Sequence, residues 1–272
     1  MKVAIYIGKK GVESEGRMEG MFTDLRDGGC ELHFLTEGEK PGSDTDVLLS
    51  IGGDGTYLSA SSLVAGTDIP VLGVNAGRLG FLSENRPEDI AKALLSEDFT
   101  IESRTMLKAD VVSGNPEIDI WPYALNEMTV HRSGAAMLGV DVLIDGIQLP
   151  TYWADGLVIS TSSGSTAYSL SVGGPIVLPE SKVLIISPIA PHNLNVRPLV
   201  VPYTSEIVLK MHSRDGKFIL TADNRTAEVS EDTEVKVAVA QFSLKRVRLN
   251  RSNFINALTE KLFWGEDIRN IR

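Results

Sequence analysis

The pattern of apolar residues changes character near Arg104, and that change limits the chain to folds made of two unlike parts. Before it, short β-branched runs alternate with longer mixed stretches, the signature of strands separated by helices. Strands are predicted at Lys2 to Ile7, Cys30 to Leu35, Val47 to Ile51 and Val71 to Val74. Helices are predicted around Ser14 to Asp27, Tyr57 to Val64 and Pro87 to Leu95, and crossovers of this length make the strands pair in parallel. After Arg104 the strands are joined by turn dipeptides. Asp145-Gly146 and Asp215-Gly216 each sit between alternating apolar positions and read as hairpins. Val140, Val142 and Ile144 precede the first; Ile207, Leu209 and Met211 precede the second, with Phe218 and Leu220 after it, so each strand has one apolar face. Phe242 and Leu244 are out of phase with Val247 and Leu249, which a β-bulge would reconcile. From Asn253 onward, Phe254, Leu258, Leu262 and Phe263 have the spacing of an amphipathic helix. The expected domains are an α/β layer over residues 1–104, a mainly β domain over 105–252, and a terminal helix or tail over 253–272 that needs a surface to cover.

A length of 272 residues suits two medium domains, and 43% hydrophobic residues are enough for a proper core in each. The net charge of −10 argues against nucleic-acid binding, which needs Lys and Arg clustered on one face, and favours a free metabolite. The opening Met1 to Gly8 reads as a first strand, and no segment approaches a membrane-spanning length. Cys30 is alone and the four histidines, His33, His131, His192 and His212, lack metal-ligand spacing. A reducing, cytoplasmic setting without structural zinc is expected, with Cys30 a small buried hydrophobe and the histidines surface or structural groups.

The most informative segment is Leu48 to Thr56, a buried-type strand running into Gly52-Gly53-Asp54-Gly55-Thr56 and a helix start. Glycines let a ligand approach the backbone, and the amides at a helix start attract anionic oxygens, so the junction suits a phosphate. A carboxylate beside polyphosphate is repulsive unless it holds a hydroxyl nucleophile, accepts that hydroxyl's proton, or helps to ligate magnesium. The alternative is a plain glycine turn with Asp54 as helix N-cap. Neither a Walker A sequence nor G-x-G-x-x-G occurs, so any phosphate site is of another kind.

The same five residues resemble the signature shared by NAD kinases, diacylglycerol-type lipid kinases and, more loosely, phosphofructokinases. Asn75-Ala76-Gly77-Arg78-Leu79-Gly80-Phe81-Leu82 is similar to the second NAD kinase motif, and Asn126-Glu127 to that family's Asn-Glu pair. The run from Asp155 through Gly164-Ser165-Thr166-Ala167-Tyr168 to Pro175 resembles its Gly-Ser-Thr-Ala-Tyr motif. Arg197-Pro198, Asp223 and Trp264-Gly265-Glu266-Asp267 follow in the family's order. Two departures stand out: Thr161-Ser162-Ser163 replaces the Thr-Pro-Thr common in the family, which bears on loop rigidity, and Trp153 or its neighbours replace an Arg often found before the Asp155 motif.

The resemblance implies a Rossmann-like N-terminal α/β domain with a parallel sheet, a mainly β C-terminal domain, an active site at the domain interface, and a terminal helix returning to the first domain. It implies transfer of the terminal phosphoryl group of ATP, or of polyphosphate, to the 2′-hydroxyl of the adenosine ribose of NAD, giving NADP, dependent on magnesium or another divalent cation carried with ATP. Asp54 then accepts the hydroxyl's hydrogen bond and its proton late in transfer, while Gly52, Gly53, Gly55 and Thr56 surround the donor triphosphate and its magnesium. Asn75 and Phe81 hold the adenosine half, and Asn126 with Glu127 grips the second ribose diol. Asp155 accepts from the nicotinamide carboxamide, and Ser163, Ser165, Thr166, Ala167, Tyr168 and Ser171 form a wall of mostly small residues for a flat base. Asp223 touches the adenine edge of NAD, in the same or a neighbouring subunit, and homodimers or homotetramers are implied. Two other readings compete. A lipid kinase would need an apolar acyl pocket, and a non-catalytic NAD-binding regulator would have no use for the Asp54 carboxylate.

Overall fold

A computed structural model describes residues 1–9, 11–12, 15–77, 80–114, 120–250 and 253–265. Ser14, Arg78 and Leu79, and the Glu266-Asp267 pair, which carry part of the sequence expectations, lie outside the described residues. The chain forms two compact units, Met1–Ser103 with Leu244–Arg272, and Arg104–Ser243. The return to the first unit thus falls at Leu244, within one continuous strand, whereas the sequence pattern suggested a division at residue 252.

The first unit is built on β1 (Lys2–Ile7), α1 (Gly16–Asp27), β2 (Glu31–Phe34), β3 (Val47–Gly52), α2 (Asp54–Leu63), β4 (Val71–Asn75) and α3 (Pro87–Leu95). β1 pairs in parallel with β2 and β3, and β3 with β4. β3 and β4 are buried throughout but for Gly52, as expected of β-branched and leucine-rich strands covered on both faces. Met18, Met21, Phe22 and Leu25 of α1 and Ile90, Ala91 and Leu94 of α3 share one core with Val3, Ile5, Leu49 and Leu72, and Cys30 is buried in it. α3 begins on Pro87 followed by Glu88 and Asp89, which suit the donor-rich end of a helix. α2 begins at Asp54, three residues before the expected start, because Gly53 takes the extended N-cap conformation.

The second unit holds most of β5 (Phe99–Ser113), then β6 (Tyr123–Ala124), β7 (Glu127–Arg132), β8 (Leu138–Ile144), β9 (Ile147–Gln148), β10 (Tyr152–Ala154), β11 (Gly156–Thr161), a 3-10 turn over Ser163–Thr166 and α4 (Tyr168–Ser171). It continues through β12 (Val183–Ile189), β13 (Leu199–Pro202), β14 (Ile207–His212), β15 (Lys217–Ala222), β16 (Arg225–Ser230) and the first part of β17 (Glu234–Leu249). One layer has the order β10-β8-β14-β17, and the other is an antiparallel sheet ordered β13-β12-β11-β7-β15-β16. Val140, Val142, Ile207, Leu209, Val235 and Val237 from the first layer and Met128, Val130, Leu157, Ile159, Leu184, Phe218 and Leu220 from the second form one core, the arrangement of a β-sandwich.

Asp145-Gly146 makes the expected two-residue hairpin: Ile144 pairs with Ile147, and both turn residues have positive φ, 51° and 82°. Asp215-Gly216 does not. β14 pairs with β8 and β17 while β15 pairs with β7 and β16, so this turn carries the chain from one layer to the other. The alternation of apolar residues was correct for both strands; it fixes which face is buried and says nothing about which strand lies alongside. The change of phase near the end is real as well. Leu244 and Arg246 are buried, then Val247 and Leu249, and Arg246 pairs with Val71 of β4 in parallel. The chain closes with α5 (Phe254–Leu262), capped by the Asn253 side chain, which accepts from the Ile255 amide at 2.8 Å.

Candidate active site

The residues singled out in the sequence fall into two clusters, one in each unit. In the first, β3 delivers the chain to Gly52, and a Cβ placed there would lie 2.3 Å from Thr56 Oγ1; one on Gly8 would lie 2.2 Å from the same atom. The Thr56 side chain therefore packs against two bare backbones. Gly53 and Gly55 are exposed, with nothing within 4 Å of an added Cβ, so packing does not call for glycine at either position.

Asp54 is partly buried and its carboxylate is fully oriented. Oδ2 accepts from the Phe81 amide at 2.9 Å, and Oδ1 from the amides of Leu82 at 3.0 Å and Ser83 at 2.9 Å. A carboxylate offers about four lone-pair directions, so one on Oδ2 remains for a ligand. The loop can close over the carboxylate only because residue 80 is glycine: a Cβ there would come within 1.9 Å of Asp54 Oδ1. Asn75 holds the loop from its other side. Its Oδ1 accepts from the Gly77 amide at 2.8 Å and its Nδ2 donates to the Ser83 carbonyl at 3.2 Å, in a side chain that is buried. Asn75, expected to contact adenosine, thus has its amide engaged within the protein. The Phe81 ring lies 6.2 Å from that of Phe254.

In the second unit the centre is the segment Leu125-Asn126-Glu127. Asp223, at φ 51° in the short turn between β15 and β16, accepts from the amides of Leu125 and Asn126 at 2.8 Å and of Glu127 at 3.3 Å. Its side chain is 2% exposed, with Arg225 Nη2 at 3.7 Å. The carboxylate, so enclosed, shapes the Asn126-Glu127 segment. The other side of that segment is held by Thr161, whose hydroxyl donates to the Leu125 carbonyl at 2.6 Å and accepts from the Gly164 amide at 3.1 Å. Gly164 is required there, since a Cβ would lie 2.1 Å from the Asn126 carbonyl oxygen.

Asn126 and Glu127 are both buried, and Glu127 Oε2 accepts no hydrogen bond. Burial, followed by the negative charge of Asp223, pushes the Glu127 carboxyl up to about 8, against a donated Tyr168 amide that lowers it. With the folded value above the free one, the native state keeps a proton that the unfolded chain loses. The resulting stability is complete below about pH 4.5 and disappears as pH rises to about 8. Across that window, unfolding by urea should show the natural chain losing roughly 3–5 kcal/mol relative to Glu127→Gln; parallel curves for the two proteins would show that Glu127 does not titrate in this range.

The serine-rich run is a built structure. Ser162 donates to the Pro179 carbonyl at 2.9 Å, and Ser165 both donates to the Val177 carbonyl at 3.1 Å and accepts from its amide at 3.2 Å. The Ser162 departure from the family pattern therefore leaves the loop tied down by its hydroxyl. Tyr168 stacks on His131 with ring centres 5.8 Å apart, while Ser163, Thr166 and Ala167 are partly buried and Ser171 is exposed. Asp155 is paired with Arg132, Nε to Oδ1 at 2.8 Å, and burial lowers the His131 pKa with Asp155 opposing. Trp153, the second departure, packs its ring over Gly139, where a Cβ would lie 2.8 Å from Cζ3.

Sequence reading missed Gly80, the amides of 81–83, Thr161 and Arg132. Amides carry no side-chain signal, while Gly80 and Thr161 stood inside the quoted stretches without a reason to be singled out. Among the described residues, no group of three or more His, Cys, Asp or Glu side chains is arranged to hold a metal ion. No helix among them is long and apolar enough to cross a membrane.

Residues 34–96 match the family described as ATP-NAD kinase N-terminal domain, and residues 125–249 the family described as ATP-NAD kinase C-terminal domain. A NAD kinase from Flavobacterium psychrophilum is 44% identical over 229 residues, covering 83% of this chain and 78% of that protein. Among solved structures, a NAD kinase from Archaeoglobus fulgidus in complex with ATP superposes with a TM-score of 0.75 at 25% identity, over 92% of this chain and 95% of that one. A yeast NADH kinase complexed with NADH shares the fold, with a TM-score of 0.86 at 23% identity, over 100% of this chain and 90% of that one.

Proposed function

This chain belongs to the NAD kinase family, and we propose on that premise that it transfers the terminal phosphoryl group of ATP to the 2′-hydroxyl of the adenosine ribose of NAD, giving NADP. One observation carries the assignment of the chemistry. Asp54 is oriented by three amides and keeps one lone-pair direction open at the start of α2. The ribose hydroxyl donates to that oxygen, which aligns it for attack. As its oxygen bonds to phosphorus, the bond from phosphorus to the bridging oxygen breaks, ADP leaves with the electron pair, and the hydroxyl proton passes to Asp54.

Gly53 and Gly55, with open space where side chains would stand, and the first-turn amides of α2 suit the donor phosphates. A magnesium ion held by the oxygens of the triphosphate itself would supply charge neutralisation there. In the second unit, Asn126 and Glu127 receive the nicotinamide ribose, the protonated Glu127 carboxyl donating from its unpartnered Oε2 to a ribose oxygen. Asp223 and Thr161 act on this step only by positioning those two residues.

Formation of NADP in a coupled assay tests the reading, with ATP and polyphosphate as alternative donors and NAD, NADH and diacylglycerol as alternative acceptors. NADP from NAD with magnesium-ATP is the expected result. Binding of NAD without turnover from any donor would replace this reading with that of a regulator, and phosphorylation of the lipid alone with that of a lipid kinase.

A further inference from the structure

The C-terminal helix reaches the Asp54 loop through a residue that no sequence pattern marked. Lys261 Nζ donates to the carbonyl of Gly80 and lies 4.6 Å from the centre of the Phe81 ring. The same peptide unit supplies, from its other end, the Phe81 amide that donates to Asp54 Oδ2. We propose that Lys261 is a positioning residue for the Asp54 carboxylate, acting through the peptide unit between Gly80 and Phe81. The inference rests on Asp54 as the acceptor of the ribose hydroxyl.

The physical link is polarisation within one amide. An ammonium on the carbonyl oxygen draws electron density from nitrogen, which makes the N–H a stronger donor to the carboxylate. The cation over the ring fixes the rotation of Phe81 and with it the plane of that peptide, and Phe254, about two helix turns before Lys261 on α5, braces the ring from 6.2 Å. The neighbouring Glu84 is already paired with Arg246, which leaves the Gly80 carbonyl as the acceptor that Lys261 reaches. Burial lowers the Lys261 pKa, with the carboxylates of Glu84 and Asp54 opposing, so the ammonium sits in the field of the group it helps to hold.

The test compares Lys261→Met, Lys261→Arg and Asp54→Asn in the full chain, singly and combined. Lys261→Met is expected to lower kcat about 10-fold with KM for NAD within about 2-fold, because alignment is lost while the binding groups stay in place. Lys261→Arg, which can still reach the carbonyl, is expected to restore kcat to within about 3-fold. In the Asp54→Asn background Lys261→Met should cost nothing further, since its only route to the reaction is gone. A normal kcat in Lys261→Met, or the same fold loss in both backgrounds, would overturn the proposal. If Asp54→Asn alone proves fully active, the reading of Asp54 fails separately. Hydrogen exchange at the amides of 81–83 then decides for Lys261: faster exchange in Lys261→Met upholds its hold on the loop, and unchanged exchange refutes it.

Discussion

Replacing Asp54 by asparagine is expected to lower turnover roughly 10²- to 10⁴-fold while NAD affinity stays within a few-fold. The amide keeps the size of the side chain and leaves Oδ1 for the amides of Leu82 and Ser83, but its NH₂ group now faces the Phe81 N–H, which had donated to Oδ2 at 2.9 Å. One buried donor without an acceptor costs about 1–3 kcal/mol, so the variant should fold with a modest loss of stability. The greater consequence is chemical. An NH₂ at the position of Oδ2 cannot accept from the ribose hydroxyl, so the nucleophile loses both its alignment and the destination of its proton. Steady-state kinetics with saturating magnesium-ATP, set beside equilibrium binding of NAD, separates the two effects. Turnover near that of the natural chain would mean that another group aligns the hydroxyl.

The second large effect is on stability and lies in the other unit. Asp223→Ala is expected to destabilise the chain by roughly 3–5 kcal/mol. Three amides, those of Leu125, Asn126 and Glu127, would lose their acceptor in a site where the carboxylate is 2% exposed. Arg225 would be left half-buried without Asp223 beside it, its Nε already without a partner and its plane held over Trp121 at 4.7 Å. Alanine must also adopt φ 51°, a left-handed conformation that Asp and Asn tolerate better. Opposing all this, burial raises the Asp223 pKa, so its charge is held there at a cost. Asp223→Asn keeps the conformation and one acceptor oxygen, and should cost only about 1–2 kcal/mol. Urea unfolding of the two variants at neutral pH measures the difference, and equal, small losses would show that the 125–127 segment is held by Thr161 and its neighbours instead.

These two carboxylates show how unevenly sequence and structure share the information. Both stand out in the sequence, and both accept three backbone amides, one at the start of a helix and the other in a turn that leaves its side chain 2% exposed. Nothing in an Asp or its sequence neighbours distinguishes these fates, because the donors are main-chain groups brought from 27 to 98 residues away. The same holds for Lys261, which meets its carbonyl acceptor across a separation of 181 residues.

What the sequence determined by itself was local: the parallel strands β1, β3 and β4 and helix α3, whose apolar runs and Pro87 start need no partner to be recognised, and the Asp145-Gly146 hairpin, whose two residues dictate their own positive φ. It also singled out the glycine turn at residue 52, where the family resemblance leads one to expect a phosphate. Tertiary structure alone decided that Asp215-Gly216 links two layers, that Gly80 and Gly164 are bare because another chain segment occupies the space of a Cβ, and which distant amides each of the two carboxylates accepts. The physical reason is the same in each case. Periodicity and turn chemistry are properties of neighbouring residues, whereas strand partners, close approaches and amide donors are set by which distant backbones pack together, and an amide looks alike at every position of the chain.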